Sequence, residues 1–279
     1  MKSTYSSRSS RRSVLKRTIA GVAGLSALGG IGGGAYLLVQ EHNANAHAAG
    51  VTPNVDSVQT ILNIAATAEE LGVVFYTQVI ENARLLHLSQ AAILDLSAAQ
   101  IEEQLHLQFL LKEGAKPLTN TFSFPFGKAT FQVFNLFLET QQTLEAAFAA
   151  AYLAATREFA LLNRSDLALV AAQIASVETE HRAVGRALGT PRPINNQAFT
   201  PVLFQTVSAA ATALQRGGFL TPKRGNSFQF HPISTVFNGV VARTPAIVAT
   251  TTVTPTTTTP ATTTATPTTT HPAATPIKF

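Results

Sequence analysis

Glu103-Gln104-Leu105-His106 decides how this chain is read, because the same Glu-x-x-His spacing returns as Glu178-Thr179-Glu180-His181. Each pair is preceded at a nearly constant interval by a lone glutamate, Glu69 in the first half and Glu145 in the second. A tyrosine follows each lone glutamate by seven residues, as Tyr76 and Tyr152. The two halves therefore read as two copies of one helix pair.

Working outward, the flanking residues repeat with the period of an amphipathic helix. Val58, Leu62, Ala65, Glu69, Gly72, Tyr76 and Val79 alternate spacings of four and three, which predicts a helix beginning near Asp56 with Glu69 in the middle of its apolar stripe. A second helix is expected from Ser89 to Glu113, stopped by Gly114 and Pro117, with Ala92, Leu96, Ala99, Glu103, His106 and Leu110 facing inward. On that period Glu102 and Gln104 point elsewhere and read as solvated positions. The third runs from about Ala129 to Leu162 along Phe131, Phe134, Leu138, Gln141, Glu145, Phe148 and Tyr152, with Glu139 well round the helix. Ser165 or Asp166 is expected to cap the fourth, which ends at Gly189 and Pro191. Its stripe carries Glu178, His181 and Gly185, and leaves Glu180 and Arg182 off the face.

The predicted fold is all-α: an antiparallel four-helix bundle over 55–190, with a long crossover between helices two and three. The crossover, 115–128, holds Phe122, Phe124 and Phe126 and is expected to pack on the bundle. A region over 191–249 follows, with a short fifth helix from Thr200 to Gln215 and then apolar clusters that wrap the bundle surface. Thr250 to Thr275 is almost entirely Thr, Pro and Ala and lacks the apolar surface to offset ordering entropy, so a Thr/Pro-rich disordered tail is expected over 250–279. At the other end, a basic stretch precedes an uncharged apolar run, Thr18 to Val39, and a small-x-small site at Ala44-Asn45-Ala46. Residues 1–46 thus read as a signal peptide or membrane anchor.

The chain has no cysteine, which excludes thiolate zinc sites, iron–sulfur clusters and disulfide frameworks. The net charge of +5 is concentrated at the start, where Lys2, Arg8, Arg11, Arg12, Lys16 and Arg17 supply six of twenty basic residues. From His47 onward the two signs balance, so a nucleic-acid partner loses its electrostatic footprint.

Glu69, Glu103, His106, Glu145, Glu178 and His181 are then the candidate metal ligands. Buried carboxylates need a partner, and Glu-x-x-His places both side chains on one helical face. Four carboxylates against two dications leave a neutral core. Tyr76 and Tyr152 lie two turns from the lone glutamates, placed for their hydroxyls to bond a carboxylate on another helix and orient it. His87, His231 and His271 have no matching partners.

These residues resemble the di-iron carboxylate pattern of the ferritin-like superfamily in order and spacing. Leu62-Asn63 before Phe75-Tyr76, and Leu144-Glu145 before Ala151-Tyr152-Leu153, look like an exported branch of desiccation-related proteins. Ser10-Arg11-Arg12-Ser13-Val14-Leu15-Lys16 resembles a twin-arginine export signal. The region after the bundle and the Thr/Pro tail depart from cage ferritins and argue against iron storage. The resemblance implies two iron ions, alternatively manganese, with dioxygen or peroxide as partners, and a periplasmic, extracellular or envelope-associated location. It implies an oxidoreductase of ferroxidase or manganese-catalase type. The other reading is a non-catalytic stress or desiccation protein with a structural or vestigial metal site, and a third is a scaffold tethered to the envelope by its tail.

Overall fold

Ser57, Ser89 and Thr206 each open a helix in the same way: extended backbone, with the hydroxyl accepting a backbone N–H three residues on. The helices they start are α1 (Val58–Glu81), α2 (Gln90–Lys112) and α5 (Val207–Arg216). Between them lie α3 (Phe134–Leu161) and α4 (Ser165–Leu188), and two short strands, β1 (Thr121–Phe122) and β2 (Phe228–Gln229), form an antiparallel pair. This computed structural model describes residues 54–189, 194–195, 197–236, 239–243 and 245. The expected signal or anchor over 1–46 and the tail over 250–279 lie outside the described residues.

Side chains at the centre fix the helix directions. Tyr76 of α1 bonds Glu145 of α3, and Tyr152 of α3 bonds Glu69 of α1. Since each tyrosine follows its own glutamate by two turns, the crossed bonds require α1 and α3 to run antiparallel. His106 meets Glu178 and His181 meets Glu103, which makes α2 and α4 antiparallel by the same logic. With α1 and α2 joined by a short turn, α2 and α3 must run the same way. The chain has to travel the bundle's length between them, about 35 Å for a helix of this size. This is the ferritin-like arrangement that the repeat predicted.

The crossover is held to the bundle by polar side chains of α1 and by aromatic packing. Asn63 Oδ1 accepts the Lys116 N–H at 2.7 Å, and Thr67 Oγ1 accepts the Leu118 N–H at 2.8 Å. Phe124 then sits among Phe75, Phe131, Phe219 and Phe228, with ring centroids 4.8 to 6.2 Å away. Edge-on contacts dominate, as the ring quadrupoles prefer.

Several boundaries differ from the sequence reading. Residues Gly127–Phe131 form a separate 3-10 turn, so α3 starts at Phe134 and not at Ala129. Neither Ser165 nor Asp166 caps α4; Arg164 is its N-cap residue, and Asp166 in the first turn accepts the Arg164 guanidinium through both oxygens. The fifth helix spans Val207–Arg216 with Thr206 as its cap, and so starts later than the expected Thr200. The stretch beyond it holds β2, which pairs with the crossover strand: Thr121 faces Gln229 and Phe122 faces Phe228. Gln104 is also buried, with Oε1 accepting the Ile233 N–H at 3.0 Å, so the C-terminal segment covers a position expected to be solvated.

Candidate metal centre

The six candidate residues converge from four helices. Glu69 comes from α1, Glu103 and His106 from α2, Glu145 from α3, and Glu178 and His181 from α4. They form two overlapping groups, Glu69–Glu103–His106–Glu178 and Glu103–Glu145–Glu178–His181, each with its ligand atoms within 4.8 Å of one another. Glu103 and Glu178 belong to both, the position a bridging carboxylate takes between two ions. All but His106 are at most 2% exposed, and His106 is 13% exposed.

Both imidazoles turn Nδ1 inward. His106 Nδ1 lies 3.4 Å from Glu69 Oε2 and 3.4 Å from Glu178 Oε1. His181 Nδ1 lies 3.2 Å from Glu103 Oε1, 3.4 Å from Glu178 Oε2 and 3.6 Å from Glu145 Oε2. None of these inward atoms gains a hydrogen bond. Of twelve buried side-chain polar atoms without one among the described residues, eight belong to these six residues, and all eight point at the same small volume. Native proteins rarely tolerate even single buried orphans, so eight at one point fit a site built for cations. The residues fit two divalent ions in donor type as well as number: carboxylate and imidazole suit iron and manganese.

The tyrosines act on the lone glutamates. Tyr76 donates to Glu145 Oε1 and Tyr152 donates to Glu69 Oε1, which leaves Oε2 of each carboxylate facing inward. Burial beside these carboxylates pushes both phenols well above their ordinary value, so each remains a donor. Gly72 makes room for Glu103: a Cβ there would fall 2.6 Å from Glu103 Oε2.

Without cations the cluster must carry protons. Burial, with Glu178 and Glu69 nearby, pushes the Glu103 carboxyl well up. Burial raises Glu145 to about 7 against the pull of His181. For His106 burial works downward, but the Glu69 and Glu178 carboxylates outweigh it and hold the ring at about 9. Burial would raise Glu178 too, yet the two imidazoles facing it, each 3.4 Å away, bring it down to about 2.

Two contributors escaped the sequence reading. Glu102, read there as solvated, places Oε2 2.9 Å from His181 Nε2. Its position beside Glu103 turns it off the α2 stripe towards α4, and the only sequence clue is that a ligating imidazole needs an acceptor behind it. Gln141 lies on the predicted α3 stripe, where the sequence reading gives it no role. It is fully buried, donates to the His181 carbonyl at 2.7 Å, and lies 3.4 Å from the Tyr76 hydroxyl. Glu139 and Glu180 stay outside the cluster, as their helical faces require; His87 and His231 are exposed and belong to neither group.

The family model described as a ferritin-like domain matches residues 57–190, slightly less than half of the chain. That span holds all four long helices and all six residues of the cluster, and the match supports the ferritin-like superfamily for the bundle. No curated protein and no solved structure gives a match.

Proposed function

We propose that this ferritin-like bundle is an exported di-metal carboxylate protein, holding two iron or two manganese ions and oxidising ferrous iron or consuming peroxide or dioxygen in stress protection. The observation that carries the reading is the convergence of eight unpartnered buried donor atoms from six residues. In this reading Glu103 and Glu178 would be shared by the two ions, Glu69 with His106 would complete one position, and Glu145 with His181 the other. Metals bound there would supply a two-electron couple and Lewis acidity. The protein's own part is positional: tyrosines hold the lone carboxylates, and burial excludes water from the bridging ones. His181 leans on Glu102, so its Nε2 keeps a proton and Nδ1 keeps its lone pair inward.

Export rests on Ser10 to Lys16 and the apolar run after it, and the desiccation-related branch rests on Leu62-Asn63, Phe75-Tyr76 and Ala151-Tyr152-Leu153. If the signal is read by the twin-arginine route, Arg11→Lys with Arg12→Lys retains the protein in the cytoplasm of an exporting host; unchanged fractionation sinks that part.

The second reading, a structural metal in a non-catalytic stress protein, is favoured by how closed the centre is: His106 alone reaches solvent appreciably. Turnover separates the two. Protein loaded with iron or manganese should oxidise ferrous iron or disproportionate peroxide, and Glu103→Ala should abolish it. Metal retained without turnover by either assay favours the structural role.

A further inference from the structure

The two halves repeat in sequence, yet three pairs of corresponding residues differ where they surround the site. Behind His181 stands Glu102, with Oε2 2.9 Å from Nε2. The corresponding place before Glu178 is Val177, and among the described residues His106 meets only Glu69 and Glu178, through Nδ1. Next to His181, Gln141 reaches across to Gly185, close enough that a Cβ on Gly185 would fall 1.9 Å from Gln141 Oε1. The corresponding pair in the other half is Ala65 and Leu110, and both line an apolar cavity of about 10 Å³ with Tyr152. One imidazole thus has a carboxylate and a carboxamide beside it, and at the corresponding places near the other the residues are Val177, Ala65 and Leu110, which offer it no polar side chain. Exposure differs in the same direction, 2% for His181 and 13% for His106.

A carboxylate on the outer nitrogen fixes the ring's tautomer and orientation and raises its basicity, and loss of such a partner typically weakens metal binding about 10- to 100-fold. Gln141 adds to this by holding the backbone carbonyl of His181 itself at 2.7 Å. His106 has neither support. Its ring must lose more freedom on binding an ion, and its partial exposure gives water a route to that position.

We propose that the centre is polarised: the Glu145–His181 position binds its metal first and keeps it, and the Glu69–His106 position is the exchangeable one. This rests on the two-metal reading above, but it assigns an order that the sequence repeat conceals. Glu102 and Gln141 are positioning residues for the tight position.

The test is titration of the metal-free full chain with manganese(II), followed by equilibrium dialysis and by electron paramagnetic resonance, which separates isolated from paired ions. Wild type should fill in two steps about tenfold or more apart, with isolated ions at one equivalent. His106→Ala should keep the tight step and lose the weak one, and His181→Ala should lose the tight step. Glu102→Gln, at a half-exposed position that leaves the core packing alone, should weaken the tight step by about 10- to 100-fold and leave the weak step unmoved. Equal steps in wild type, a weak step that moves in Glu102→Gln in place of the tight one, or the reverse assignment of the histidine variants would overturn the proposal while leaving two-metal binding intact. Wild type that binds neither manganese nor iron overturns the two-metal reading itself.

Discussion

His106 shows at the scale of one residue how the centre couples to pH. Its folded value of about 9 exceeds the ordinary 6.5, so in the metal-free protein its ion pairs are fully stabilising below 6.5 and are lost as pH rises through about 9. Glu145, raised to about 7, works in the same sense at lower pH, since its protonated form suits the fold better than its ionised one. A cation displaces these protons, so apparent metal affinity rises across the same interval. Thermal melts from pH 6.5 to 9 should show the metal-free protein losing stability while the gap to the metal-loaded protein widens. A gap that narrows would contradict the protonated cluster.

Gly72 is the other residue whose role is purely local. Alanine is ordinarily better than glycine inside a helix by about 1 kcal/mol, but here its methyl would press on the Glu103 carboxylate at 2.6 Å. Gly72→Ala should therefore keep its helix content by circular dichroism and bind metal at least about tenfold more weakly, a change of about 1.4 kcal/mol. Wild-type affinity in that variant would show that Glu103 moves without penalty.

Among the elements, α3 carries a device unrelated to the metal. Glu158, fully buried, accepts the Asp56 N–H at 2.7 Å and the Val207 N–H at 2.8 Å, and so fixes the chain ahead of α1 and the first turn of α5 to the same helix. Asp56 returns the contact, accepting the Ser208 N–H and hydroxyl at 2.7 Å each. Glu158→Leu strands one buried and one partly buried backbone donor and should lower stability by about 2–4 kcal/mol, read from chemical denaturation, with metal stoichiometry unchanged. The helices themselves were legible because their apolar periods are long and uninterrupted. The start of α3 was not, since Phe131 and Phe134 continue the helical spacing across a 3-10 turn that only tertiary packing reveals. Glu102 was missed for a related reason: its partner is 79 residues away, and no period within α2 points to α4.

At the scale of the whole molecule, the region after the bundle closes the crossover. Phe219 and Phe228 complete the aromatic cluster around Phe124, and β2 pairs with β1. The sequence reading expects short apolar clusters here to lie on the bundle surface, but not the strand pairing or the aromatic anchors, because a two-residue strand and single rings leave no repeat to read. Phe219 is fully buried, so Phe219→Ala should cost about 3–5 kcal/mol in denaturant unfolding. The six-residue centre should survive it, since Phe219 touches none of the ligands. The repeat of Glu, Tyr and Glu-x-x-His, in contrast, foretold both the helix pairing and the meeting of six side chains from four helices. Buried charge on an apolar stripe is costly unless shared, and that constraint is visible in one dimension.

The most direct measurement of the central claim is metal content and thermal stability on one preparation: metal-free chain reconstituted anaerobically with ferrous iron, desalted, and assayed for iron per chain and for melting temperature. The account predicts two iron ions per chain and a melting temperature raised by several degrees, as ligand linkage requires, with both effects lost in Glu103→Ala. Less than one ion per chain, with a melting temperature indifferent to iron and to Glu103→Ala, would contradict it.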